Sequence, residues 1–273
     1  MTRATLADVL QPALAGGYAL AGLVVQGWED ARAYVAAAEA EGLPVILQAG
    51  PGARAHMPIT IFGAMFRHLA GAASVPVVAH LDHATTIAEC REAIDCGFTS
   101  VMFDGSRLPL AENIARTAEI VKLAHAAGVS CEGELGFVGY AAGEASLRTD
   151  PANAARFAAE TGVDALAVSV GNVHLQTGPE AAIDLAALAA IMAETSVPLV
   201  LHGGSGVPPA LRLQLARQTS VCKFNIGTEL RQTFGTALRD SLADPARFDR
   251  IAILQATEAP LTQAARRILR GLV

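Results

Sequence analysis

The chain is short of aromatic residues, which make up 5% of its 273 positions and include one tryptophan. Ala, Val and Leu must therefore fill the core of a sequence that is 52% hydrophobic. Lysine is scarcer still, present only at Lys122 and Lys223. With a net charge of −6 and a pI near 5.6, the chain lacks the clustered basic residues that nucleic-acid binding requires. The four cysteines, Cys90, Cys96, Cys131 and Cys222, form no CxxC pair. They read as reduced, buried thiols of a cytoplasmic protein. No long apolar run is present. Residues 1–17 are interrupted by Asp8 and are not expected to be a signal peptide. The run Ala186–Ala193 is too short to span a bilayer. No linker or low-complexity tract divides the chain, and a chain of this length can fold without disulfide or metal staples.

What is present is an alternation. Short apolar runs at Tyr18–Val25, Val45–Ala49, Val75–Leu81, Ser100–Phe103, Ser130–Glu134, Ala165–Val170, Pro198–Leu201 and Val221–Asn225 read as strands. Between and after them, helical patterns cover Glu29–Glu41, Ile59–Ala73, Thr86–Cys96, Leu110–Ala127, Pro151–Thr161, Asp184–Glu194, Pro208–Gln218 and Glu229–Ser241. Gly42, Gly97, Gly128 and Gly162 stand where helices should end, and Asp150-Pro151 reads as an N-cap followed by proline at the first helical position. Near-continuous apolar strands are the mark of a parallel sheet covered on both faces. Eight such units predict an α/β fold, a single-domain (β/α)₈ barrel with a C-terminal helical extension over about residues 242–273. A doubly wound open sheet is the structural alternative, although no GxGxxG follows the first strand.

Polar residues gather at the strand ends, where such barrels build their active sites. Strand two ends in Gln48, strand three in His80-Leu81-Asp82-His83, and strand four in Asp104-Gly105-Ser106. Strand five carries Glu132 and Glu134, and strand six leads to Gly171-Asn172-Val173-His174. Strand seven ends in His202-Gly203-Gly204-Ser205-Gly206, and strand eight in Asn225-Ile226-Gly227-Thr228. His83, His174 and His202 come from three different strands, and three imidazoles with one open position describe a catalytic zinc site. His80 is read as an outer contact of that cluster. The Gly-rich loops after strands seven and eight occupy the usual phosphate position of barrels. There, backbone N–H groups cradle an anion and Ser205 and Thr228 add hydroxyls. Gln48 is read as a further substrate contact.

These stretches resemble the class II fructose-bisphosphate and tagatose-bisphosphate aldolase family. The matching motifs are AHLDH (Ala79–His83), SVMFDGS (Ser100–Ser106), EGELG (Glu132–Gly136), TDPANAARFAAETGVDALAVSVGNVH (Thr149–His174), LVLHGGSG (Leu199–Gly206) and CKFNIGTEL (Cys222–Leu230). The resemblance implies retro-aldol cleavage of a phosphorylated ketose to dihydroxyacetone phosphate and an aldehyde. It implies zinc on His83, His174 and His202, and Asp82 as the acid/base. Asp104 and Glu134 match acidic residues near the metal, serving an alternate metal position or outer contacts; a second divalent or monovalent cation stays open. Gly203, Gly204, Ser205, Asn225, Gly227 and Thr228 would hold the substrate phosphate and ene-diolate end. A homodimer or homotetramer is implied, in which Arg266 and Arg267 of the tail could reach a neighbour's site.

The sequence departs from the family at three places. The loop after strand five reads FVGYAAGEASLR (Phe137–Arg148), without the family's paired glycines and acidic pair, and leaves Glu144 as the loop acid. Leu175-Gln176-Thr177 replaces a glycine and tyrosine after the strand-six histidine, and strand one, ALAGLVV (Ala19–Val25), lacks an asparagine. These changes touch substrate recognition, so a non-standard sugar phosphate is an alternative substrate. Arg54 could meet a second anionic group or lie solvated. Rival readings are a Schiff-base aldolase using Lys223, a non-catalytic metal-binding barrel subunit, and a zinc hydrolase.

Overall fold

The computed structural model describes residues 2–141 and 143–273. Eight parallel strands close into a barrel in sequence order: β1 (Leu20–Val24), β2 (Val45–Ala49), β3 (Val77–Ala84), β4 (Ser100–Phe103), β5 (Ser130–Leu135), β6 (Ala165–Val168), β7 (Leu199–Leu201) and β8 (Val221–Ile226). β8 pairs back onto β1, with Gly22 opposite Asn225, which excludes the open sheet. The helices are α1 (Leu6–Gly16), α2 (Trp28–Glu41), α3 (Pro51–His56), α4 (Ile59–Ala72), α5 (Ile87–Asp95), α6 (Leu110–Ala126), α7 (Pro151–Thr161), α8 (Leu185–Glu194), α9 (Pro209–Gln218), α10 (Thr228–Leu242) and α11 (Arg250–Arg270). Among the described residues, no helix is long and apolar enough to cross a membrane.

Local chemistry sets the helix ends. Thr86 and Glu89 form a reciprocal capping box at the start of α5. Asp150 accepts from the backbone N–H of Asn153, with Pro151 at the first position of α7. The anticipated glycines follow α2 and α7 in the left-handed region, Gly42 at φ 65° and Gly162 at φ 71°.

Two helices escape the sequence reading. α1, entered through a Thr5–Asp8 capping box, lies across the N-terminal mouth of the barrel. Its Leu6, Val9, Leu10 and Ala13 pack on Leu20, Ile46, Val78, Met102 and Val200 inside. Burying a leucine there contributes about 1.5–3 kcal/mol, and the helix serves as the barrel floor. α3, six residues just after β2, is too short to leave a periodic pattern. The C-terminal tail folds back on its own chain: Arg266 and Arg270 of α11 both pair with Glu41 of α2. Arg266 is thereby engaged within the chain rather than extended towards a neighbour.

Candidate active site

β3 carries the most unusual backbone in the site. Adjacent residues of a regular strand point to opposite faces, yet Asp82 and His83 both line one cavity at the C-terminal mouth. The register between β3 and β4 shifts between Leu81 and Ala84, and His83 adopts φ 51°. A left-handed non-glycine residue costs about 1–2 kcal/mol, and here the bulge re-aims a side chain. Arg54 braces the same turn: its guanidinium donates to the carbonyls of Ala49 and Asp82, both at 2.6 Å, and to that of His83 at 3.2 Å. Arg54 is thus neither solvated nor free for an anion.

The structure brings His83, His174 and His202 together. Their ring centroids lie 4.6–5.6 Å apart, and one nitrogen of each falls within 4.8 Å of the others. His83 Nδ1 lies 2.8 Å from Asp104 Oδ2, which leaves its Nε2 facing His202 Nδ1 at 2.9 Å. His202 Nε2 meets Glu132 Oε1 at 3.0 Å. His174 sits beyond β6, where its backbone pairs with Gly139 and Ala141 of the loop after β5, and its ring stacks on Tyr140 at 5.1 Å. Two neighbours of these histidines share the left-handed conformation: Gly203 at φ 65° and Leu175 at φ 56°. A Cβ on Gly203 would meet the Val173 carbonyl at 2.2 Å, so only glycine fits. Leu175 accepts the strain and lines the cavity half-exposed.

Asp82 is clamped rather than free. Its Oδ1 accepts from Gln48 Nε2 at 3.1 Å and Asn225 Nδ2 at 3.2 Å, and Oδ2 borders the cavity at Gly50. The clamp needs Gly22, because a Cβ there would meet Gln48 Oε1 at 2.0 Å. Gln48 is fully buried and does not line the cavity. The structure therefore gives it a contact with Asp82 where the sequence suggested a contact with substrate.

The cavity measures about 320 Å³ and includes Gly203, Ser205, Asn225, Gly227 and Thr228 on its wall. α10 begins there at Thr228, and the N-terminus of a helix favours an anion. Ser205 Oγ accepts from the N–H groups of Gly227 and Glu229, both at 3.3 Å, which ties the two Gly-rich loops together. Gly204 lies behind this wall, buried against the Asn225 carbonyl. Glu144 is not brought to the cavity: it is exposed, and Arg107, itself over the Phe137 ring, grips it through two hydrogen bonds of 2.9 and 2.5 Å.

The electrostatics favour a cation. Burial lowers the His83 pKa, but Asp82, Asp104 and Glu134 outweigh it and push it up to about 10. Burial and then Asp104 raise Glu134 to about 8. Burial and the charge of His83 bring His174 down to about 4, and His202 falls well below its ordinary value for the same reasons. Glu134 Oε2 is buried without a hydrogen-bond partner, 3.5 Å from His83 Nδ1. Three imidazoles, two of them held neutral, beside three carboxylates form a donor set suited to a divalent metal ion. His83, Asp104 and Glu134 make a second potential group.

The family model for class II fructose-bisphosphate aldolase matches residues 4–272. The chain belongs to this family. A class II aldolase is a metal-dependent carbon–carbon lyase, and this donor set suits that dependence. A fructose-bisphosphate aldolase of Geobacillus stearothermophilus is 38% identical over 91% of this chain and 89% of its own. A 6-phospho-5-dehydro-2-deoxy-D-gluconate aldolase of Shouchella clausii is 40% identical over 88% and 83%. The crystal structure of the YdjI aldolase from Escherichia coli K12 superposes with a TM-score of 0.88 at 30% identity, covering 99% of this chain and 97% of that one. As a class II enzyme, the aldolase needs no Schiff base. Lys223, the lysine a Schiff base would use, is fully buried and paired with Glu132 at 2.7 Å.

Two residues near the site escaped the sequence reading, Tyr140 and Arg231, and two that it named at the strand ends, Glu132 and Asn172, were given no role there. Glu132, two residues before Glu134 on β5 and on the same face by the strand period of two, meets His202 Nε2. Asn172 braces the His202 carbonyl at 3.1 Å, with no sequence signal beyond its place after β6. Tyr140 and Arg231 line the cavity; Arg231 stands one helical turn beyond Thr228, so helix geometry could have placed it.

Proposed function

We propose that this aldolase cleaves a phosphorylated ketose reversibly to dihydroxyacetone phosphate and an aldehyde, with zinc on His83, His174 and His202 and Asp82 as the acid/base. The observation that carries this reading is the clamp on Asp82 Oδ1, which leaves Oδ2 at the cavity beside the three imidazoles. Zinc supplies Lewis-acid stabilisation of the negative charge that cleavage leaves on the substrate oxygens. Asp82 Oδ2 takes the proton from the hydroxyl next to the breaking bond. Gly203, Ser205, Gly227 and Thr228, at the start of α10, receive the phosphate. Asn225 orients Asp82 from the same wall. Glu144 serves as the acid that reprotonates carbon only once its pair with Arg107 opens. Asp104 and Glu134 hold His83 in place and offer a second cation position.

Identity does not choose the sugar, because relatives named for two different substrates match almost equally. Val24 and Leu175 on the cavity wall favour a ketose phosphate other than fructose 1,6-bisphosphate. We further propose a cytoplasmic homodimer or homotetramer, supported by exposed Leu242, Phe248 and Ile251 at the α10–α11 junction. Cleavage assays with zinc on fructose 1,6-bisphosphate, tagatose 1,6-bisphosphate and 6-phospho-5-dehydro-2-deoxy-D-gluconate test the reading. Turnover of the third faster than the first is expected. Turnover fastest on fructose 1,6-bisphosphate would overturn the substrate preference, and none on any of the three would overturn the assignment of Asp82 and its ketose phosphate.

A further inference from the structure

Beneath the three histidines, the barrel interior holds a chain of buried polar side chains that the cleavage reaction does not use. Ser100 Oγ lies 2.8 Å from His80 Nδ1, and His80 Nε2 lies 3.3 Å from Lys223 Nζ. Lys223 Nζ donates to Glu132 Oε2 at 2.7 Å, and Glu132 Oε1 lies 3.0 Å from His202 Nε2. Lys223, Glu132, His80 and His202 are all 0% exposed.

We infer that Lys223 is a positioning residue for metal binding: by holding Glu132 Oε2, it fixes Glu132 Oε1 against His202 Nε2 and so leaves His202 Nδ1 bare towards the metal position. The hydrogen-bond bookkeeping runs one way along the chain. An ammonium has three donors and no acceptor, so His80 must present a bare Nε2 to Lys223 and donate its Nδ1–H to Ser100. The carboxylate of Glu132 accepts at both oxygens, from Lys223 at one and from the Nε2–H of His202 at the other. A carboxylate on the far nitrogen of a metal-binding histidine fixes both its tautomer and its ring orientation. Inside the barrel that carboxylate would be an uncompensated charge without the lysine. The pair explains why one of only two lysines in the chain is placed where no solvent and no substrate reach it. The inference rests on the reading of His83, His174 and His202 as metal ligands.

The test is zinc affinity, measured by competition with a chromogenic chelator on the metal-stripped full-length protein. Lys223→Met should weaken zinc binding by about 10-fold or more, in the range typical for loss of an outer partner of a ligand. In a Glu132→Gln background, where Lys223 no longer holds a carboxylate against His202, the same change should alter affinity by less than about 3-fold, on the same scale. A role in stability alone would lower the melting temperature and leave the affinity of the folded protein unmoved. Wild-type affinity in Lys223→Met, or equal losses in both backgrounds, would overturn the inference. Should Lys223→Met fail to fold, ¹H–¹⁵N correlation spectra of the metal-free wild type read the tautomer directly. A proton on His202 Nε2 supports the inference and a proton on Nδ1 overturns it. A wild type that took up no zinc would instead remove the metal reading on which the inference stands.

Discussion

At the floor of the barrel, Ile46, Val78 and Val200 meet the apolar face of α1. Two residues further along the chain stand Gln48 on β2, His80 on β3 and, just past β7, His202, equally buried. One step of the strand period therefore separates a region held by packing from one held by paired polar groups. The floor is tolerant in kind, since any side chain of the right volume serves. The upper layer is not, because each buried group there needs its own partner: Gln48 and Asn225 for Asp82, Glu132 for His202, Lys223 for Glu132. The barrel separates stability from chemistry along its axis, and variants at the two ends should fail in different ways.

The largest effect is expected at the upper layer. Asp82→Ala should cut turnover by about 10²–10⁴-fold, the range for loss of a positioned acid/base, while steady-state kinetics and zinc titration show unchanged zinc uptake. At the floor, Leu10→Ala should cost about 2–5 kcal/mol in denaturant unfolding and leave zinc affinity and turnover of the folded enzyme at wild-type values. A loss of zinc affinity in Leu10→Ala would blur the division between the two ends.

The smallest effect is a pH dependence of the metal-free protein. His83 is raised from 6.5 to about 10, so its contribution to stability is full below pH 6.5 and is lost as pH rises towards 10. Glu134, raised from 4.5 to about 8, contributes fully below pH 4.5 and loses that contribution as pH rises from there to 8. His174 is lowered from 6.5 to about 4, so its contribution is full above pH 6.5 and is lost as pH falls towards 4. His202, held well below its ordinary value, acts in the same direction as His174, and together they outweigh Glu134 below pH 6.5, so melting temperature against pH should peak near 6.5 without metal. Leu10→Ala should lower that curve without changing its shape, whereas His83→Ala should remove most of the fall on the alkaline side.

The sequence was legible where residue type is tied to position. Parallel strands buried on both faces read as apolar runs, and all eight appear within a few residues of their observed bounds. Histidines are rare enough that three at strand ends stand out. Relations across the fold were not legible. Nothing local marks α1 as the floor, because its apolar face acquires meaning only from the barrel mouth it covers. Gln48 has the chemistry of a substrate contact, and only its burial beside Asp82 gives it another task. Glu144 looked like a free loop acid because Arg107, its partner, is 37 residues away. Lys223 is open to a rival reading as a nucleophile in the sequence, and only its burial against Glu132 gives it another task.

The most direct test of the central claim is triose phosphate release from the best ketose phosphate substrate, before and after removal of metal with EDTA and again after adding zinc back. The arrangement of His83, His174 and His202 beside Asp82 predicts that activity disappears with chelation and returns with about one zinc ion per chain, the stoichiometry of a single catalytic site. Full activity after complete removal of metal would contradict it.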